Sequence, residues 1–475
     1  VDKGAVLVLD VGKTNSKLSL WSADARLIDA RERSNERVRS AGGYPALDVE
    51  GVEAWMAQAM ADLARAASIE AIVPIAHGAG AAYLAGGRLA AQPMCYEHDA
   101  APELQSAYAA LRDPFRVTGS PRLPHGLNLG AQLYELEQRM PQLASPNVEI
   151  VTFAQYWAWV LSGIAASEVT TLGCHADLWR PFDRRFSDLA FRRGWARRFA
   201  PLRRAYDRLG SIRPHWADVT GLPQDCVVLC GAHDSNAAFW GVRGHPELAG
   251  RDVTVISTGT WFVAMRAPAA DAAVDVTKLD ETRDVLVNVD VEGRPAPSAR
   301  FMGGREVERL IGDEASPLRD PEFVRNIVPC SLDDVFQAGA MVLPTYAPGV
   351  GPFPSGEGRW VGPHMDGPAM RAAVGLYLAL VADASLSLIG SRDAIVVEGR
   401  FSADTSFVRM LATLRPDCDV YAADASEGLA FGALRLADKR LTPRSSLRKM
   451  QPLTQDVKSY VRSWRERSGV LEALV

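Results

Sequence analysis

At 475 residues the chain is longer than one hydrophobic core usually serves, which points to two domains or three. Its 48% apolar and 23% charged residues are the balance of an ordinary globular protein, and a net charge of −5 offers no basic face for nucleic acid. No uninterrupted apolar run reaches the roughly 18 residues that a bilayer demands. The longest, 373–389, carries Asp383 and two serines and reads as a buried core helix.

The first residues run straight into a strand with no secretory leader pattern, so a cytoplasmic location is expected. An apolar run over 5–10 stops at Asp10-Val11-Gly12, and a second resumes over 18–21, as two strands joined by a tight turn would. Helical periodicity follows over 52–67. A strand over 69–75 then leads into the small-residue loop His77-Gly78-Ala79-Gly80. The stretch 184–213 is rich in arginine and aromatics and reads as helices around loops, with the arginines of 193–204 on a solvated face. A strand over 226–230 ends at Gly231-Ala232-His233-Asp234, and a helix over 235–242 precedes the polar, turn-rich linker 243–250.

Beyond the linker the pattern restarts. A strand over 253–256 breaks at Ser257-Thr258-Gly259-Thr260, and another covers 261–265. A Pro/Gly-rich loop (344–363), a long helix (370–390), a strand (394–397), the turn Glu398-Gly399-Arg400 and helices over 403–414 and from 427 towards 442 complete the chain. Strand and helix alternate, which argues for α/β layers in two like domains, 1–245 and 246–475. The six cysteines (Cys95, Cys174, Cys226, Cys230, Cys330 and Cys418) form no C-x-x-C pair and read as core thiols, with neither disulfide nor zinc expected.

Four segments carry the chemistry. Phosphoryl transfer needs amides and hydroxyls near phosphates, a carboxylate for Mg²⁺ and a base for the attacking hydroxyl. Asp10-Val11-Gly12-Lys13-Thr14-Asn15-Ser16-Lys17 offers a metal-holding carboxylate at a strand end, a glycine turn and cationic, hydroxyl and amide donors. Its bland alternative is an ordinary hairpin, and the spacing is not that of a Walker loop. Ser257-Thr258-Gly259-Thr260 follows the same logic. Asp234 stands where a strand hands over to a helix, as a general base or as a plain helix cap. Glu398-Gly399-Arg400 provides a backbone surface at a strand-to-helix turn.

Taken in order, these segments resemble the FGGY carbohydrate kinase family over essentially the whole chain. The resemblance implies an α/β fold of two ribonuclease-H-like domains, of the actin and hexokinase ATPase type, flanking a catalytic cleft. Asp10 to Lys17 looks like the family's first phosphate loop, and Ile256-Ser257-Thr258-Gly259-Thr260-Trp261 like its second. Gly231-Ala232-His233-Asp234 looks like the segment whose aspartate is the catalytic base. Glu427-Gly428-Leu429-Ala430-Phe431-Gly432-Ala433 resembles a late family helix; Thr118-Gly119 and the run 155–163 resemble further landmarks. His233-Asp234-Ser235 and the Ser-Thr-Gly-Thr-Trp string look closest to the rhamnulokinase and L-fuculokinase branch, which phosphorylates O1 of a 6-deoxy-ketohexose.

The resemblance therefore implies ATP and Mg²⁺ as cofactors, with Asp10 near the metal. Gly12, Lys13, Thr14, Asn15, Lys17, Thr258, Gly259, Thr260, Gly399 and Arg400 would serve ATP. His77, Gly78, Tyr96, Glu97, His233 and Asp234 would serve the sugar, with Trp157 or Trp179 giving it an apolar face. Two departures stand out. The adenosine loop, usually a run of glycines, reads Glu398-Gly399-Arg400, where Arg400 would stack on the purine. Lys13 replaces a hydroxyl. Alternatives are a pentulose or polyol kinase, or a non-catalytic actin-like or chaperone-like ATP-binding module. The expected partners are a sugar and ATP, without nucleic acid or membrane; a homodimer is left open.

Overall fold

The computed structural model describes residues 4–270, 272–312, 320–326, 329–423 and 428–469. The chain divides into two compact units. One comprises Val1–Gly244, Val287–Pro295 and Glu427–Pro443; the other comprises His245–Leu286, Ala296–Ser426 and Arg444–Val475. The first changeover falls inside the polar stretch 243–250. Two short later segments nevertheless belong with the first unit, which a linear division does not convey.

In the first unit, β1 (Ala5–Val11), β2 (Asn15–Trp21) and β3 (Leu27–Ser34) form an antiparallel meander. The chain passes through α1 (Val49–Ala64) into β4 (Ile69–Ala76), which lies parallel to β1. Further along come α2 (Phe153–Ser162), β5 (Arg208–Ser211), β6 (Val227–Leu229), β7 (Ala232–His233) and α3 (Asp234–Val242). The sheet order is β5-β6-β4-β1-β2-β3, with β7 also on β4. The near-continuous apolar sequence of β1 suits a strand covered on both faces. Val52, Met56, Ala59, Met60 and Leu63 place one stripe of α1 in the core, and Asp48 caps it by accepting from Gly51 N at 2.9 Å.

The second unit repeats this plan. β8 (Val253–Thr258) and β9 (Phe262–Ala267) form a hairpin, β10 (Val285–Val289) lies at the edge, and β11 (Pro295–Phe301) pairs antiparallel with β9. After α4 (Gly303–Ile311) and α5 (Gly367–Leu388), β12 (Ala394–Gly399) runs parallel to β8. Then α6 (Thr405–Leu414) leads to β13 (Asp419–Ala422), parallel to β12. By length and apolar content α5 meets the measure of a bilayer-spanning helix, yet its residues from Arg371 to Leu386 are buried in the core. A later helix, α7 (Gly428–Ala437), belongs to the first unit, where Gly432 packs against the α3 backbone at Ala237. Glu427 lies outside the described residues.

The segment 184–213 departs from expectation. Arg197, Arg203 and Arg204 are exposed as a solvated face would be, but Arg198 is 7% exposed, pairs with buried Glu137 and donates to Leu143 O at 2.5 Å. Arg193 also reaches Glu137, at 3.3 Å, and lies over the Tyr134 and Trp195 rings. Trp195 Nε1 donates to the same carboxylate at 2.9 Å. A buried acid supplied from 137 turns what looks like surface into core. Cys95, Cys174, Cys226 and Cys230 are buried free thiols and Cys418 is half-buried.

Candidate active site

Strand register brings three segments of the first unit to one edge. Asp10 stands opposite Ile75 in the β1–β4 pair, and Ala232 and His233 stand opposite Ile75 and Ala76 in the β7–β4 pair. Asp10, His77 and Asp234 thus emerge at the carboxyl ends of parallel neighbours, the usual place for a ligand site in such sheets. Burial, and secondarily the charge of Asp234, pushes the Asp10 carboxyl up to about 7, while Lys17 draws it down. The Asp10 carboxyl makes no hydrogen bond among the described residues.

Asp234 opens α3, so the helix cap is His233 rather than Asp234. Its Oδ1 accepts from Ser235 N at 2.5 Å and lies 3.0 Å from His233 Nε2; Oδ2 has no partner among the described residues. Burial raises its pKa, but His233, His77 and the Ser235 amide outweigh it and hold the carboxyl below its ordinary value. His233 is the mirror case. Burial works against its charge, while Cys174 and Asp234 raise its pKa. The imidazole is fixed by Asn236 Nδ2 at 3.1 Å from Nδ1, and the His233 amide donates to Thr170 Oγ1 at 3.0 Å. That hydroxyl donates to Glu168, whose pKa burial lifts to about 7.

His77 is not a histidine satisfied by the backbone. Both ring nitrogens are buried without a partner among the described residues, and the ring sits 4.7 Å from Phe153 and 5.2 Å from Tyr96. Burial lowers its pKa to about 4, so the ring is neutral and offers one donor and one acceptor. An orphaned pair of this kind is costly unless a ligand engages it. Gly78 lies against the His233 ring. Trp157 and Trp179 correct an expectation: at 0% and 4% exposure, neither presents an open face to a sugar.

In the first turn Gly12 N donates to Asn15 O at 3.0 Å, and Asn35 Nδ2 ties down Gly12 O at 2.8 Å. Thr14 and Asn15 are exposed at its tip. Lys17 pairs with Glu32 at 3.0 Å. Lys13 pairs with Glu97 and lies 5.8 Å from the Tyr96 ring centroid.

The second unit has its own built turn. Gly259 N donates to Trp261 O at 3.0 Å between β8 and β9. Thr258 Oγ1 donates to Glu398 O at 2.5 Å and accepts from Phe401 N at 2.9 Å, locking this turn to the one after β12. Gly399 there has φ +84°, and a Cβ would meet Thr258 O at 2.3 Å. Ser257 Oγ donates to Glu398, so that glutamate braces the turn. Arg400 is exposed, and Thr260 follows Gly259 at the turn's exposed end.

Sequence reading missed Phe153, Glu168, Thr170, Cys174 and Asn236 around His233 and His77. Asn236 was legible as the residue one helical turn after His233. The others reach the site only through the fold.

The family described as carbohydrate kinase FGGY, C-terminal domain, matches residues 250–445. A carbohydrate kinase from Novosphingobium aromaticivorans is 46% identical, with 99% of this chain and 100% of that one covered and a TM-score of 0.94. A xylulose kinase from Rhodospirillum rubrum (16% identity, 99% and 98% covered, TM-score 0.74) shares the fold. So does a glycerol kinase from Plasmodium falciparum (11% identity, 99% and 98% covered, TM-score 0.76). No curated protein matches the chain.

Proposed function

Because the chain belongs to the FGGY carbohydrate kinase family and has its two-domain α/β ATPase fold, we propose that this carbohydrate kinase transfers the γ-phosphoryl group of ATP to O1 of a 6-deoxy-ketohexose such as L-rhamnulose or L-fuculose. The observation that carries the site is the convergence of Asp10, partnerless His77 and Asp234 at one sheet edge. The choice of acceptor rests on His233-Asp234-Ser235 and on the Ser257 to Trp261 string, which resemble the rhamnulokinase and L-fuculokinase branch.

Asp234 is the base. Its pKa stays low beside His233, so it is ionised at neutral pH, and Oδ2 is available to the substrate hydroxyl. As that proton moves to Asp234, the sugar oxygen bonds to the γ-phosphorus and the bond to the ADP oxygen breaks, leaving ADP and a sugar phosphate. His77, with Tyr96 and Gly78 beside it, orients the sugar through hydroxyl hydrogen bonds, and His233 holds Asp234. Within the first unit Gly12, Thr14, Asn15 and Lys17 are the candidate nucleotide residues; within the second unit they are Thr258, Gly259, Thr260, Gly399 and Arg400.

The residues present fit Mg²⁺. Asp10 and Asp234 are two carboxylates whose mutual repulsion a cation relieves. Among the described residues no cluster of three or more ligating side chains exists, as suits an ion held by one or two carboxylates, water and substrate phosphates. Asp10 would hold it. When bound, Mg²⁺ neutralises charge on the phosphates.

The test is ADP release measured over a panel of ketoses and polyols. L-rhamnulose or L-fuculose should stimulate it most, and Asp234→Asn should lower kcat by at least about 10²-fold while nucleotide binding stays within about twofold. Preference for a pentulose or polyol, as in the named xylulose and glycerol kinases, replaces the acceptor assignment. An active Asp234→Asn enzyme overturns the site.

A further inference from the structure

Lys13 stands in the first phosphate turn, yet its ammonium is already taken. It pairs with the Glu97 carboxylate, 84 positions on, and lies 5.8 Å from the centroid of the Tyr96 ring. Tyr96 in turn meets His77 edge-on at 5.2 Å. Glu97 is further approached by Arg37 at 3.6 Å, so cations from two sides hold that carboxylate. Lys13 is more enclosed than Glu97, with side-chain exposures of 23% and 43%. The Lys13 hydrogen bond is the largest influence keeping the Glu97 carboxyl below its ordinary pKa.

A carboxylate beside a lysine lowers the net charge that it presents to a phosphate. Here the lysine instead bridges from the hairpin turn to the loop carrying the aromatic neighbour of His77. We infer that Lys13 is a positioning residue for the sugar rather than a phosphate ligand, acting with Glu97 as a strap that fixes Tyr96 against His77. This rests on the site reading above and assigns Glu97 to the strap rather than to direct sugar contact. An exposed ion pair contributes little to global stability. Its effect here is local: holding one loop in place lowers the ordering cost when the sugar binds.

The two roles predict opposite signs. With the strap, Lys13→Met and Glu97→Gln each raise KM for the best sugar of the panel by roughly three- to tenfold and leave KM for ATP within about twofold. The double variant is no worse than either single one, since both remove the same contact. If Lys13 is a phosphate ligand, Lys13→Met raises KM for ATP while Glu97→Gln, by freeing the ammonium, lowers it. That pattern overturns the proposal. So does strict additivity in the sugar KM, which would mean that Glu97 and Lys13 act separately, or the absence of any change in it. Asp234→Asn runs alongside. If it turns over normally, the site reading fails and the strap with it; if it is inactive while the strap variants match the parent enzyme, only the strap fails.

Discussion

Replacing Asp10 with asparagine separates the cost of this carboxylate from its use. In the folded protein its pKa rises from the ordinary 3.8 to about 7, through burial first and the Asp234 charge second. A raised acid favours the protonated fold. Its contribution to stability is therefore fully present below about pH 4 and is lost progressively as pH rises through about 7. At 1.36 kcal/mol per pKa unit the whole displacement is worth about 4 kcal/mol. The side chain retains partial contact with water, which reduces this to about 1–2 kcal/mol. Asparagine approximates the neutral acid at every pH, and no protein hydrogen bond is lost because the Asp10 carboxyl makes none among the described residues. Asp10→Asn, free of metal and nucleotide, should unfold about 2–4 °C above the parent at pH 8. That advantage should shrink steadily towards pH 4.5 and be flat above pH ~7.5. Scanning calorimetry at several pH values measures it. Adding Mg²⁺ and ATP should stabilise the parent more than the variant, since only the parent keeps the carboxylate. A variant that is no more stable at pH 8, or whose advantage is the same at every pH, refutes the account of Asp10.

Gly231→Ala should be severe: φ is +81° and the new Cβ would lie 1.9 Å from Pro74 O in β4. A loss of at least about 2–3 kcal/mol in denaturant titration, with kcat falling because Asp234 is three residues on, is expected. Glu137→Ala would leave the Arg198 charge without an acid and the Trp195 indole without an acceptor in the core, and should cost about 3–5 kcal/mol, with Glu137→Gln milder in the same titration. Unchanged midpoints in either would mean that the surrounding packing relaxes freely.

The sequence by itself determined what short-range patterning governs. It showed the two hairpins with glycine turns, the long apolar core helix and the carboxylates at strand ends, since an apolar run stopping at Asp and Gly is a local signal. The tertiary structure decided everything that depends on partners distant in the chain. Arg198 is core rather than surface because Glu137 meets it across 61 positions. Trp157 is sealed among its own unit's apolar residues instead of facing a sugar. Lys13 pairs with Glu97 from a loop 84 positions away. Parallel pairing of β4 with β1 and β7 sets Asp10, His77 and Asp234 at a common edge, although more than 220 positions separate the first from the last. Propensity and periodicity act over a few residues. Burial, charge pairing and strand register are settled only when the whole chain has folded.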